Sequence, residues 1–245
     1  MSQFRFQVQE MRDSTPREWL CAWAGRYQGY DEAEYGDLIE KHKLLSAEDF
    51  RRIGKWKDDA TTENQWKPNV ASVAYLIWER AAEELPKCPD ESGVAVFLED
   101  WSSREYRDVF KNGSRKKRFG LSRATTLLHF ISGGRYPIFD SRVKTALARL
   151  LGRPKLPDTV RSYLDSYIPL FKELADHCET NDFRMLDKAL FSYGAWTSVH
   201  SQTDPLPSVA DCLLFQPGKR DSCRGVPEVT GARIAVRGRR PDLPQ

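Results

Sequence analysis

Residues 116–152 read KKRFGLSRATTLLHFISGGRYPIFDSRVKTALARLLG, and they show the clearest secondary-structure pattern of the chain. Apolar residues recur at helical spacing over 121–131, and the glycine pair 133–134 ends that helix. The extended apolar segment 136–139 then leads to Asp140, which begins a second amphipathic helix. The stretch therefore predicts two helices joined by a short loop that ends on an aspartate.

A run of basic residues comes just before the first of these helices: Arg115, Lys116, Lys117 and Arg118. Gly120 allows a tight turn, and the unpaired N–H groups at the start of the helix attract an anion. The basic side chains, with Arg123 beside them, would add long-range attraction to a phosphate. Taken alone, a basic turn is more often a solvated loop, and that alternative stays open at this point.

Asp140 has two compatible interpretations. Aspartate is among the best residues for capping the N-terminus of a helix, and taken alone this structural role is the better one. A carboxylate in an apolar setting can also act as a base or stabilise a developing cation, because burial makes an unpaired charge costly. One residue can serve both purposes.

The rest of the chain favours a mostly α-helical protein with one domain and two irregular ends. Residues 1–13 are expected to form a loose arm, 14–197 the helical domain, and 198–245 an irregular, poorly ordered basic tail. Further helices are predicted near 14–27, 31–44, 46–56, 69–85, 91–101, 102–110, 158–178 and 182–193.

Composition excludes several classes of protein. The 245 residues carry a formal net charge of only +3, so a nucleic-acid partner has to be argued from where the charges lie. No apolar run approaches the ~20 residues that cross a bilayer, and the N-terminus lacks a signal core. The five cysteines are widely spread without metal-binding spacing. We therefore expect an intracellular, cytoplasmic monomer with no metal, no cofactor and no membrane contact.

The order of basic turn, Gly120-Leu121-Ser122, helix, Tyr136-Pro137-Ile138-Phe139 and Asp140 resembles the helix-hairpin-helix DNA glycosylase superfamily. Those enzymes have a Gly-hydrophobic-Gly hairpin, a helix and, about twenty residues later, an aspartate that begins another helix. The closing segment 183–196 is similar to the final helix of 8-oxoguanine-glycosylase-like members. The resemblance is carried by about 35 residues, and its helix-hairpin-helix would lie near 104–133.

The resemblance implies an enzyme that binds double-stranded DNA, flips one nucleotide out of the stack and cleaves its N-glycosidic bond. Asp140 falls on the essential aspartate of the family, which stabilises the oxocarbenium-like sugar and orients or activates the attacking group. Gly120, Leu121 and Ser122 fall on the hairpin that binds the DNA backbone. These three residues, with residues 115–118 and Arg123, form the predicted backbone-binding set.

The chain departs from the family pattern at two positions. Ser122 replaces the second glycine of the hairpin, which predicts a weaker phosphate contact. Ala124 stands where strand-cutting members have a nucleophilic lysine, and the neighbouring arginine stays protonated. The expected activity is therefore that of a monofunctional glycosylase that uses water. The alternatives are a non-catalytic DNA-binding module and a helical protein-interaction domain.

The base-binding pocket is not identified by the sequence. Trp66 and Trp101 are weak candidates for its aromatic walls, whereas Trp19, Trp23 and Trp78 fit a core. His129 is expected to point away from the apolar face of its helix, as an exposed residue. Lys144 lies one helical turn after Asp140 and could approach it, but a surface ion pair is the preferred expectation.

Overall fold

The computed structural model describes residues 15–27, 31–58, 73–110 and 113–197, and within these ranges it leaves the side chains of 73–76 and 106–117 undescribed. The described part is mostly helical, which confirms the predicted fold class. Its α-helices are α1 Pro16–Ala24, α2 Glu32–Glu40, α3 Ala47–Asp58, α4 Val73–Glu84, α5 Val94–Ser103, α6 Leu121–Ile131, α7 Ser141–Leu151, α8 Val160–Ser162, α9 Ile168–His177 and α10 Phe183–Thr197. In this part of the chain no helix is long and apolar enough to cross a membrane.

The helix predicted over 102–110 is wrong, because most of that segment is a β-strand. Strand β1, Glu105–Phe110, pairs antiparallel with β2, Gly113–Arg118, so the basic run lies on a strand and not in a turn. Tyrosine, valine and phenylalanine in β1 favour a strand, and the Asn-Gly pair where β2 begins favours a tight turn. The hairpin returns the chain to α5, where the Phe119 N–H donates to the Arg104 carbonyl at 2.9 Å.

Helices α7 and α10 pack closely because of one small residue. A β-carbon at Gly194 in α10 would lie 2.0 Å from the Arg142 carbonyl oxygen, so only glycine lets the helices meet at this distance. The contact lies two residues from Asp140. It therefore fixes the N-terminus of α7 against α10.

The core is aromatic. Trp19, Trp23 and Trp78 are buried, as predicted, and the first two pack edge-on against Tyr193 of α10. Thr15 caps α1 in a reciprocal pair with Glu18, as the Thr-Pro-x-Glu pattern indicates. The predicted arm, most of the loop containing Trp66, and the whole predicted tail lie outside the described residues.

Candidate active site

The loop that leads to Asp140 is held by two buried tyrosines. The Tyr163 hydroxyl donates to the Pro137 carbonyl at 2.7 Å, and the Tyr167 hydroxyl donates to the Ile138 carbonyl at 2.6 Å. Both tyrosines lie in a π-helical turn, Tyr163–Tyr167, which joins α8 to α9. Such turns are frequent at functional sites. Here the turn stacks the two rings beneath residues 136–139.

Two side chains of α6 hold the other backbone groups of this loop. Thr125 Oγ1 accepts from the Phe139 N–H at 3.0 Å, and His129 Nδ1 lies 2.7 Å from the Tyr136 carbonyl. Since a carbonyl only accepts, Nδ1 carries the proton, and Nε2 accepts from the Tyr35 hydroxyl at 2.9 Å. Burial lowers the pKa of His129 to about 4, so the ring is neutral. The expectation of an exposed His129 is wrong, because this inward face offers partners for both nitrogens.

Asp140 ends the loop and caps α7, as predicted. Its Oδ1 accepts from the Arg142 N–H at 2.8 Å, and its Oδ2 lies 3.3 Å from the Nζ atom of Lys57. Only 17% of its side chain is exposed. Burial raises the pKa of Asp140, but the Lys57 ammonium and the Arg142 N–H together lower it by more, so the net pKa lies below the ordinary value. The carboxylate is therefore ionised, oriented and largely shielded from water.

Sequence reasoning missed Lys57, which reaches Asp140 from the last turn of α3. It expected a lysine near Asp140 only at Lys144, as a weak alternative to a surface ion pair. Lys144 forms the expected ion pair, with Asp158; the side chain of Asp158 is 75% exposed, but that of Lys144 is only 8% exposed. No local pattern signals Lys57, because it lies 83 residues from its partner.

A second carboxylate, that of Asp187, lies on α10. Asp187 is buried and accepts from Arg184 at 2.6 Å. The pKa of Asp187 is raised to about 6. Burial is the main cause, and the charge of Asp140 adds to the rise, whereas Arg184 opposes it. Arg184 also donates to the Tyr27 hydroxyl at 3.0 Å and lies over the Tyr35 ring, 4.4 Å from its centre. The site therefore has two acidic groups with opposite pKa shifts.

The predicted phosphate seat is the start of α6. Gly120 has φ +80°, a backbone conformation that residues other than glycine rarely adopt. It has no side chain with which to cap the helix. Arg123, predicted to add attraction to a phosphate, is engaged within the protein: its Nε donates to Asp58 at 2.9 Å and its Nη1 donates to the Phe119 carbonyl. Arg118 lies 3.7 Å from Glu105 at the exposed end of the hairpin.

The other residues of the predicted backbone-binding set differ in their exposure to solvent and in how far the structure describes them. Leu121 is buried at the start of α6, and Ser122 beside it is half-buried. Arg115, Lys116 and Lys117 lie on β2, where the structure describes the backbone pairing alone. Only Phe119 and Gly120 separate the basic strand β2 from the start of α6.

Of the two tryptophans predicted as walls of a base pocket, only Trp101 belongs to the part of the chain that the structure describes. Trp66 lies outside the described residues. Trp101 is 3% exposed, packs against Phe97 and Phe119, and carries the Arg104 guanidinium 3.6 Å above its ring. A ring enclosed in this way presents no open face to a base.

Comparison with known protein families, with curated proteins and with solved structures found no match to this chain. Within the described ranges, no group of three or more His, Cys, Asp or Glu side chains is arranged to hold a metal ion. The functional assignment therefore depends on the geometry around Asp140.

Proposed function

We propose that this protein is a DNA N-glycosylase that hydrolyses the bond between deoxyribose and a damaged or modified base. The observation that carries this proposal is the Asp140 carboxylate, which stays ionised although only 17% of its side chain is exposed. A shielded and oriented negative charge is suited to stabilise a sugar that becomes positively charged as its base departs.

The chemistry needs little movement of the protein. As the glycosidic bond breaks, its electron pair leaves with the base and positive charge develops on the sugar. Asp140 faces that charge while the four bonds to residues 136–139 keep the loop in place. A preorganised charge avoids the reorganisation that water would require. Water then adds to the anomeric carbon, and the proton that it loses is taken up by the departed base, which carries the electron pair of the broken bond. The use of water agrees with Ala124 at the position of the family's lysine.

Double-stranded DNA is the proposed partner, bound along β2 and the start of α6. Four basic residues on one short strand, next to an uncapped helix start, supply attraction to consecutive phosphates. The sequence-independent contacts would hold the duplex while the nucleotide is extruded.

The test is a set of duplexes, each with a different modified base, scored for abasic sites. We expect one of them to lose its base with the wild type, and Asp140→Asn to abolish the release while duplex affinity stays within about twofold. Asparagine caps a helix as well as aspartate does, so the fold should survive the change. Asp158→Asn is the matched control, because it makes the same change in another aspartate that pairs with a shielded lysine.

A second candidate is a DNA-binding module without catalysis. It is favoured by the fact that both oxygens of Asp140 already have partners, as they would in a purely structural residue. In that case no duplex would yield abasic sites, while binding would remain sensitive to salt. Parallel loss of base release and duplex binding in Asp140→Asn would also contradict the glycosylase proposal.

A further inference from the structure

The structure assigns a positioning role to Lys57: we propose that its ammonium fixes the orientation and charge of the Asp140 carboxylate for the reaction. This inference rests on the proposed function and adds a residue from a separate part of the chain to that site. Lys57 acts through Asp140 and is not itself assigned to the reacting atoms.

The geometry of the pair supports this role. Lys57 Nζ lies 3.3 Å from Oδ2 of Asp140, while the Arg142 N–H holds Oδ1 at 2.8 Å. With one oxygen bound from α3 and the other from α7, rotation of the carboxylate is restricted. The lysine side chain is 8% exposed, so solvent screens this pair far less than an ion pair on the surface.

The end of α3 is itself anchored, which makes Lys57 a defined partner. The next residue, Asp58, accepts from Trp78 Nε1 at 2.7 Å and from Arg123 Nε at 2.9 Å. The preceding residue, Trp56, packs edge-on against Phe130 of α6. Ring packing before Lys57 and hydrogen bonds after it thus hold the last turn of α3 against α4 and α6.

Lys57 also balances two acidic groups. Several charged or titratable side chains are coupled to the pair. Arg142 of α7 lowers the pKa of Asp140, and the pair in turn shifts the pKa values of Asp187 of α10, His129 of α6 and Tyr167 of the π-helical turn. Asp140 raises the pKa of Asp187, and both carboxylates raise the pKa of Tyr167. Lys57 instead lowers the pKa of both carboxyls. Without the Lys57 ammonium, the negative charge of Asp140 would act on Asp187 with less compensation.

The test compares Lys57→Met, which removes the charge, with Lys57→Arg, which keeps it. Lys144→Met is the matched control, because Lys144 is also 8% exposed and also pairs with an aspartate. We expect Lys57→Met to slow base release on the order of 100-fold, as a misplaced catalytic group does. Arginine should restore most of the rate, and Lys144→Met should leave it unchanged.

The pH profile adds a measurement that a merely structural lysine would not alter. Asp140 has to be ionised, so the rate falls as the pH drops through its pKa. Removing Lys57 raises that pKa, and the acid limb of the profile should move to higher pH. Carbon NMR of the Asp140 carboxyl should show the same upward movement without any substrate.

The outcomes separate the two proposals. Absence of base release from every duplex contradicts the glycosylase, whereas the NMR titration still reports whether Lys57 acts on Asp140. An unchanged titration and acid limb in Lys57→Met overturn the positioning role. The positioning role is also overturned by two results taken together. The rate of base release falls as far in Lys57→Arg as in Lys57→Met, and borohydride traps a covalent link between the wild type and abasic DNA. Lys57 would then be a nucleophile, because lysine forms an imine and arginine does not. Lys57→Gln replaces Lys57→Met if the latter does not fold.

Discussion

The loop before Asp140 is held in place by side chains from the core, which bind four of its backbone groups. Three carbonyls, of residues 136–138, accept from His129, Tyr163 and Tyr167, and the N–H of Phe139 donates to Thr125. A buried backbone group without a partner costs free energy, so these four bonds select one loop conformation. The direction of the Asp140 side chain follows from that selection.

Replacement of Thr125 by valine tests this account at the level of one hydroxyl. Valine keeps the shape of the side chain but leaves the buried Phe139 N–H without its acceptor. We expect the free energy of unfolding to fall by about 1–3 kcal/mol, measured by urea denaturation.

Thr126→Val is the matched control, because Thr126 is the next residue of the same helix and is equally buried. Its hydroxyl donates only to the Ser122 carbonyl within α6, at 2.8 Å. We expect a change within about 0.5 kcal/mol, since that carbonyl also lies in the helical hydrogen-bond ladder. Similar losses in both variants would contradict the special role of Thr125.

At the level of elements, the site depends on the contact between α7 and α10. The carbonyl group of Arg142, two residues after Asp140, occupies the space that a side chain at position 194 would need. The Arg142 guanidinium also lies 4.5 Å from the centre of the Phe191 ring of α10. The two helices therefore determine together where the capped end of α7 lies.

Gly194→Ala should separate these helices. The new β-carbon would meet backbone atoms, which cannot rotate away, so we expect a loss of stability of about 3 kcal/mol or more. Base release should fall with it, because the N-terminus of α7 carries Asp140. Thermal unfolding monitored by circular dichroism measures the first effect.

Gly36→Ala in α2 provides the comparison, since nothing lies within 4 Å of its added β-carbon. Alanine is the better helix former, so this variant should be unchanged or more stable by up to about 1 kcal/mol. A Gly194→Ala variant that resembles Gly36→Ala would disprove the close-packing account.

Local patterns predicted the helices but not all of the site. Segments such as 121–131 repeat their apolar residues at the helical period, and the cap at Asp140 follows from its own position. The hairpin was missed because its short strands are rich in charged residues, so alternation is hard to see. Lys57 and Tyr35 were missed for another reason: their partners, Asp140 and His129, lie 83 and 94 residues away.

At the scale of the whole molecule, the net charge of +3 conceals an uneven arrangement. Arg123 and Arg184 form ion pairs with the shielded side chains of Asp58 and Asp187. Four basic residues are gathered within the six positions of β2, and one of them, Arg118, lies near Glu105. Attraction to DNA should therefore come from that strand and not from the protein's overall charge.

Neutralising part of the strand tests where DNA binds. In the double variant Lys116→Gln/Lys117→Gln, each lost phosphate contact should reduce the salt dependence of duplex affinity by about 0.9 in the log–log slope. Fluorescence anisotropy over a range of salt concentrations measures that slope. Lys155→Gln/Lys172→Gln lowers the net charge equally at exposed residues of other segments, and it should leave the slope nearly unchanged. If the two doublets weaken binding alike, general charge attracts the DNA and the strand has no particular role; if only the first does, the duplex lies along β2.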